Sequence, residues 1–200
     1  SFDISFLRCI PNMVVMTPSD ENECRQLLYT ATTLAQPSAV RFPRGQGPGA
    51  TVQREMSALP LGRANVRREG RGGLTLLNFG PLLPAVLAAA EEQDATVLDM
   101  RFVKPLDREA VLRAAANSRA LVTIEENVVA GGAGSAVGEV LAEAGIQVPL
   151  LQLGIPDQFI EHGSRDECLA MAGLDQASIR RRIGQFWQQL QPTAPVAARG

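Results

Sequence analysis

Short apolar runs and helical periodicities alternate from the first residues of the chain. The apolar run 13–16 predicts a buried strand. Ser19 then stands where a helix N-cap is expected, and acidic residues fill the next turn, where they suit the positive end of a helix dipole. The helix is expected to reach about Ala35, and a second strand, 38–42, is expected to stop at the Pro43 turn.

From Leu74 onward, predicted strands and helices alternate regularly. Strands are predicted at 74–79, 95–100, 120–124 and 148–153, and helices at 82–93, 107–116 and 133–144. The capping-box sequence 164–167 precedes another helix, and Asp175 opens a last one. The residues of that last helix expected to face the core are Ile179, Ile183, Phe186, Trp187 and Leu190. This order indicates an α/β fold with a mostly parallel sheet covered by helices on both faces.

Two segments fall outside this alternation. Residues 51–73 are charged and Gly-rich with weak periodicity, which predicts a linker or an edge hairpin between two domains. Residues 192–200 show no pattern of either kind, and we expect them to form a disordered tail.

The composition fits a globular protein and excludes two functional classes. The chain has 200 residues, 46% of them apolar, and a net charge of −2. We therefore expect a sizeable core and no nucleic-acid partner, because a basic excess is missing. No apolar run has the length of a membrane span and no signal-peptide pattern opens the chain, so we expect no membrane partner.

The three cysteines, Cys9, Cys24 and Cys168, are odd in number, far apart and not part of a CxxC pair. They predict free thiols in a reducing compartment rather than a zinc site, and hence a soluble cytoplasmic protein. Ser1 precedes structured-looking sequence without an initiator methionine, which suggests a fragment or a cleavage product.

A glycine-rich turn at 131–135 follows a predicted strand and opens a predicted helix. Helix N-termini bind anions, so this placement invites a dinucleotide or phosphate interpretation. A dinucleotide fingerprint that begins at Gly132 needs Gly or Ala at the position of Val137, and no P-loop lysine is present. The sequence favours a closely packed strand-to-helix turn.

Glu125 and Glu126 resemble a catalytic acid pair, but neighbouring residues of a strand point to opposite faces of the sheet. We expect one of them at a sheet edge and the other in solvent or capping the loop. His162 is the only histidine and has no sequence partner for a triad. It is a candidate general acid or base, and packing in a loop or interface is the favoured alternative.

Arg41 and Arg44 bracket the end of a predicted strand in the sequence VRFPRG. Ligands of open parallel sheets bind at the carboxyl ends of strands, and a guanidinium matches phosphate oxygens bidentately. An arginine after Pro43 is therefore a candidate phosphate clamp. The alternative is a surface arginine or a salt bridge.

Seven stretches, in order along the chain, resemble the 1-deoxy-D-xylulose-5-phosphate synthase family. They are FDISFLRCIPNM at 2–13, MTPSDENE at 16–23, AVRFPRG at 39–45, RFVKPLD at 101–107, VTIEEN at 122–127, GGAGS at 131–135 and GIPDQFIEHG at 154–163. The resemblance extends over almost the whole chain, excluding the tail, and the wider transketolase superfamily does not share the full set.

The resemblance implies an activity and its cofactors. The family condenses pyruvate with D-glyceraldehyde 3-phosphate, with loss of CO2, to give the precursor of isoprenoids, thiamine and pyridoxal. Thiamine diphosphate acts as the electron sink and Mg²⁺ bridges its diphosphate to the protein. The resemblance also implies a homodimer. Two rival interpretations stay open: another transketolase-type thiamine enzyme, and a non-catalytic assembly module.

One position of the family's site maps onto this chain. Arg44 matches the arginine that holds the phosphate of glyceraldehyde 3-phosphate. The family's catalytic, cofactor-binding and magnesium residues have no counterpart here, so the chain is expected to be inactive alone and to need an N-terminal segment. We expect residues 1–60 to end a pyrimidine-binding domain with its linker, and residues 61–191 to form a transketolase C-terminal-like domain.

Overall fold

The computed structural model describes residues 1–191, which form eight strands and seven helices. The strands are β1 (Val14–Met16), β2 (Ser38–Val40), β3 (Asn65–Arg68), β4 (Leu74–Phe79), β5 (Thr96–Asp99), β6 (Phe102–Lys104), β7 (Ala120–Val128) and β8 (Leu150–Ile155). The helices are α1 (Asp3–Arg8), α2 (Glu21–Thr33), α3 (Leu83–Gln93), α4 (Arg108–Asn117), α5 (Ala133–Glu143), α6 (Arg165–Ala172) and α7 (Gln176–Gln189). Within the described part, no helix is long and apolar enough to cross a membrane.

A five-stranded sheet with the order β3-β5-β4-β7-β8 forms the larger layer. Its last four strands are parallel, and β3 adds an antiparallel edge. Alternate residues of β4 face opposite cores, since Leu76 packs with α3 and α7 whereas Leu77 packs with α4 and α5. Both faces are thus covered, as the alternating pattern predicts.

A three-stranded sheet with the order β2-β1-β6 forms the smaller layer. β1 and β2 are parallel, and β6 runs antiparallel to β1. α2 covers this sheet through Leu27, which is fully buried beside Met16 and Phe102. Since β6 comes from the C-terminal part of the chain, the two parts share one sheet.

Several predicted boundaries are confirmed by the caps. Asp107 and Asp175 cap α4 and α7 with their carboxylates. Ser164 and Glu167 form a complete capping box before α6. In α7, Ile179, Ile183 and Trp187 are buried, and Phe186 and Leu190 pack against the same core.

Other predictions need correction. The N-cap of α2 is Asp20, whose carboxylate accepts from the N–H of Glu23, so Ser19 lies one residue outside the helix. That helix ends at Thr33 and β2 ends at Val40, both earlier than expected. Residues 51–73 include a true edge strand, β3, because its backbone pairs with β5. The tail predicted at 192–200 lies outside the described residues.

Candidate functional site

A cavity of about 770 Å³ opens where the tip of β2 meets the C-terminal ends of β7 and β8 and the start of α6. The charged and titratable side chains among its lining residues are Asp3, Arg41, Arg44, Glu126, His162, Arg165 and Cys168. Three guanidiniums thus face two carboxylates around one space. The excess of positive charge suits an anionic ligand.

Arg44 follows the end of β2 in a short turn. Its side chain is exposed and lines the cavity, and Gly45 after it adopts a positive φ of 122° that favours glycine. Within residues 1–191, Arg44 makes no hydrogen bond and no ion pair. Its five N–H donors therefore stay available to a ligand in the cavity.

Arg41, by contrast, is fully engaged. Its Nε donates to Asp3 Oδ2 at 3.0 Å, and one terminal nitrogen lies 3.5 Å from Glu126 Oε2. The other terminal nitrogen donates to the backbone carbonyl oxygen of Glu126. Of the two bracketing arginines, the structure therefore makes Arg41 a structural ion-pair residue and leaves Arg44 as the candidate for binding.

Glu126 joins two arginines from different parts of the molecule. Besides Arg41, which directly follows β2, its carboxylate pairs with Arg165 at the first turn of α6. The side chain of Glu126 is only 8% exposed, so both pairs are screened little by solvent. Of the two places expected for one residue of the Glu125–Glu126 pair, solvent is excluded, because both residues are buried, and capping of the loop remains.

Glu125 points to the other face of the sheet and caps α5. Its carboxylate accepts from the backbone N–H groups of Ala133 and Gly134, at 2.7 and 2.8 Å. Burial raises the pKa of Glu125 to about 7, partly offset by these hydrogen bonds. An internal carboxylate thus fills the place where an anion would bind at this helix, which confirms the packed-turn interpretation of 131–135.

A second buried acid lies between α2 and the end of β5. Asp99 is completely buried, 3.3 Å from Arg67, while nearby Glu23 accepts from Arg101 at 2.6 Å and from the hydroxyl of Ser19 at 2.9 Å. Burial, and then the charge of Glu23, raise the pKa of Asp99 to about 7. This cluster lies outside the cavity, and nothing in its geometry points to a ligand.

His162 is exposed on the loop before α6 and lines the cavity with Arg44. No hydrogen bond fixes its ring among the described residues, so its role as an acid, a base or a packing group stays a prediction. Cys9, Cys24 and Cys168 are free thiols, as expected. Residues 1–191 contain no group of three or more His, Cys, Asp or Glu side chains arranged for a metal ion.

The sequence pattern did not reveal Asp3, Glu126 or Arg165 as members of this cluster. The contacts join residues 38, 39 and 85 positions apart, and no local spacing encodes them. The available signal was indirect: Arg41 directly follows β2 and Glu126 lies near the carboxyl end of β7, and ligand sites of parallel sheets gather at such strand ends.

Comparison with known families matches both parts of the chain. The model described as "Transketolase, C-terminal domain" matches residues 62–179, and the model described as "Transketolase, pyrimidine binding domain" matches residues 1–49. The first match alone covers more than half of the chain.

Curated relatives carry one name. A protein of Nitrosococcus oceani named 1-deoxy-D-xylulose-5-phosphate synthase is 56% identical over 190 residues, which are 95% of this chain and 30% of the relative. One of Cupriavidus necator with the same name is 55% identical over 203 residues, 100% of this chain and 32% of its own length. The chain therefore spans about a third of the length of these relatives.

Solved structures support the fold. A structure titled "Split gene transketolase, inactive beta4 tetramer" matches with a TM-score of 0.82 and 30% identity over 94% of this chain and 62% of that one. Transketolase from Campylobacter jejuni matches with a TM-score of 0.60 and 16% identity over 92% of this chain and 28% of that one, which shows the fold alone.

Proposed function

Since this chain belongs to the transketolase family, through its C-terminal domain, we propose that it forms the C-terminal part of a 1-deoxy-D-xylulose-5-phosphate synthase. The complete enzyme condenses pyruvate with D-glyceraldehyde 3-phosphate, with loss of CO2, and yields 1-deoxy-D-xylulose 5-phosphate. Its product is a precursor for isoprenoids, thiamine and pyridoxal, and its compartment is the cytoplasm. Two relatives of that name support this proposal, since each is more than 50% identical in sequence over nearly the whole chain.

The observation that carries the proposal is the position of Arg44. Its guanidinium lines the cavity at a strand tip and has no protein partner within residues 1–191, although two other arginines of the same cavity are paired with carboxylates. A phosphate dianion would satisfy it through charge-assisted, bidentate hydrogen bonds. We assign to Arg44 the phosphate of glyceraldehyde 3-phosphate.

The role of Arg44 is positioning. By binding the phosphate, it fixes the far end of the acceptor and limits where the aldehyde carbon lies, which converts binding energy into orientation. Thiamine diphosphate, when bound, supplies the electron sink for the reaction. We propose no thiamine or Mg²⁺ ligand from this chain, whose described residues offer no cluster suited to a metal.

The remaining parts of the site come from partners. We propose that the N-terminal part of the enzyme supplies the catalytic, cofactor-binding and metal residues, and that the complete enzyme works as a homodimer. In this division, residues 1–60 end the pyrimidine-binding domain and its linker, and residues 61–191 form the C-terminal domain. The family matches at 1–49 and 62–179 support this boundary.

Product analysis tests the proposal directly. The complete enzyme, with its N-terminal part, is incubated with pyruvate and glyceraldehyde 3-phosphate, and the products are identified by mass spectrometry. We expect 1-deoxy-D-xylulose 5-phosphate and one CO2 per turnover. Ketol transfer between sugar phosphates without pyruvate consumption would instead identify a transketolase. Absence of both products with a loaded cofactor would favour an assembly module.

A further inference from the structure

The tip of β2 is tied to the C-terminal domain at one carboxylate. Glu126, at the end of β7, binds Arg41 through a side-chain oxygen at 3.5 Å and through its backbone carbonyl oxygen. The same carboxylate binds Arg165 of α6. Three segments that are distant in sequence therefore converge on a single buried acid.

The connection from this carboxylate to Arg44 is short and stiff. Arg41 precedes Arg44 by three residues, and Pro43 between them fixes one backbone torsion. The stem of Arg165 lies beside the same turn, since a Cβ built on Gly45 would be 3.9 Å from its Cδ. A shift of Arg41 or Arg165 would thus displace the turn that carries Arg44.

The charges explain why the acid matters here. The side chains of Arg41 and Arg165 are 14% and 31% exposed, and both guanidiniums contact the carboxylate of Glu126. The carboxylates of Glu126 and Asp3, when ionised, together balance the charges of the two guanidiniums. Without the charge of Glu126, Arg41 and Arg165 lose the carboxylate that they share, and Arg41 keeps only its hydrogen bond to the backbone carbonyl oxygen of Glu126 as a contact with that residue.

We infer that Glu126 is a positioning residue, which holds the β2 tip against the C-terminal domain and thereby sets the place of the Arg44 guanidinium in the cavity. The inference rests on the proposed function, because Arg44 must bind the acceptor phosphate for its place to matter. It assigns to the C-terminal domain a part in recognition of the phosphorylated acceptor.

The test is a double-mutant cycle in the complete, cofactor-loaded enzyme. Glu126→Gln keeps the shape of the side chain and removes its charge. We expect the KM for glyceraldehyde 3-phosphate to rise about tenfold, with the KM for pyruvate and kcat within about twofold. In the Arg44→Ala background, the same substitution should have almost no further effect on that KM, because the group that it positions is absent.

Matched variants separate positioning from general damage. Glu139→Gln removes the carboxylate of an exposed ion pair with Arg8 outside the cavity and should leave every KM unchanged. Glu126→Asp keeps the charge but shortens the reach to two arginines, so a smaller rise in the acceptor KM is expected. This second variant also carries the test if Glu126→Gln fails to fold.

The outcomes are distinguishable. A tenfold effect of Glu126→Gln that persists in the Arg44→Ala background overturns the inference, since Glu126 then does not act through Arg44. Unchanged acceptor KM in both Glu126 variants overturns it as well. If Arg44→Ala alone leaves the acceptor KM unchanged, the phosphate role that the proposed function gives to Arg44 is wrong, and the inference about Glu126 is refuted with it.

Discussion

The carboxylate of Glu125 accepts a hydrogen bond of 2.8 Å from the backbone N–H of Gly134, inside the first turn of α5. A buried acid thus stabilises the N-terminus of a helix from within the protein, at the place where many α/β proteins bind a phosphate. The glycines of this turn serve that contact, because a Cβ on Gly132 would lie 2.6 Å from the carbonyl oxygen of Val128 and against the Glu125 carboxylate.

Glu125 should make the stability of the chain depend on pH. Burial raises its pKa from an ordinary value of 4.5 to about 7, so the folded chain holds this proton more tightly than the unfolded chain does. The stability from the protonated carboxyl is complete below about pH 4.5 and is lost as the pH rises to about 7. From pH 5 to pH 8, this titration should lower the free energy of unfolding of the parent by up to about 3 kcal/mol. Glu125→Gln has no carboxyl group to titrate there and should not show this part of the decrease.

Urea unfolding of both proteins across this pH range measures the difference. Glu143→Gln, which removes the carboxylate of an exposed ion pair with Arg108, serves as the control and should follow the parent. Parallel pH profiles for the parent and Glu125→Gln would contradict the assignment of a raised pKa to Glu125.

Two glycines of α5 should respond in opposite ways to alanine. A Cβ on Gly134 would lie 2.5 Å from Thr123 Oγ1 and 3.1 Å from Gln152, so Gly134→Ala should cost about 1–3 kcal/mol in free energy of unfolding. A Cβ on Gly138 would meet no atom closer than Gln152 Nε2 at 3.8 Å, which is an ordinary van der Waals distance. Gly138→Ala should therefore stabilise the helix by about 0.5–1 kcal/mol. Thermal unfolding distinguishes the two, and equal shifts in Tm would disprove the packing argument.

The buried acids Asp99 and Glu23 should be electrostatically linked. The pKa of Asp99 is raised to about 7 by burial first and by the charge of Glu23 second. Glu23→Gln removes that charge and keeps an acceptor for the Ser19 hydroxyl, so the titration of Asp99 should move from about 7 toward the ordinary range of an aspartate. Carbon-13 NMR of the Asp99 carboxyl follows this titration, with Glu109→Gln on the surface as the control. An unmoved midpoint would show that Glu23 does not act on Asp99.

Elements fixed by local chemistry were predictable from the sequence, and elements fixed by distant partners were not. The capping box at Ser164 and the cap at Asp107 each depend on three or four neighbouring residues. β6, by contrast, is a three-residue strand whose partner, β1, lies more than 80 residues earlier in the sequence. Three residues are too few for a hydrophobic periodicity to predict a strand. The sequence places the N-cap of α2 one residue early because Ser19 and Asp20 are both good caps, and only the hydrogen bond that the Asp20 carboxylate accepts from the backbone N–H of Glu23 decides between them.

The candidate site divides in the same way. The position of Arg44 was predictable, because an arginine that follows a strand and Pro43 lies beyond the carboxyl end of that strand, where ligands of open sheets bind. The ion pairs of Arg41 were not, since their carboxylates come from α1 and from β7. Sequence pattern thus singled out the arginine that has no protein partner within residues 1–191, and the structure identified the carboxylates that pair with Arg41.

Removal of the Arg44 guanidinium should impair use of the phosphorylated acceptor specifically. In the complete enzyme, Arg44→Ala should lower kcat/KM for glyceraldehyde 3-phosphate about 100-fold and leave the KM for pyruvate unchanged, because charge-assisted hydrogen bonds to the phosphate are lost. Arg44→Lys keeps a positive charge but lacks the planar guanidinium, so its kcat/KM for glyceraldehyde 3-phosphate should lie between the values of the parent and of Arg44→Ala. Steady-state kinetics with each substrate varied in turn measures these effects.

An acceptor without phosphate gives the sharpest control for Arg44. With D-glyceraldehyde, the parent and Arg44→Ala should have similar kcat/KM values, because the missing phosphate leaves Arg44 nothing to bind. Arg180→Ala, which breaks an exposed ion pair with Glu92, should behave as the parent with both acceptors. If Arg44→Ala lost as much activity with glyceraldehyde as with its phosphate, the arginine would support the fold of the cavity and not the ligand, and the strand-tip phosphate site would have to be abandoned.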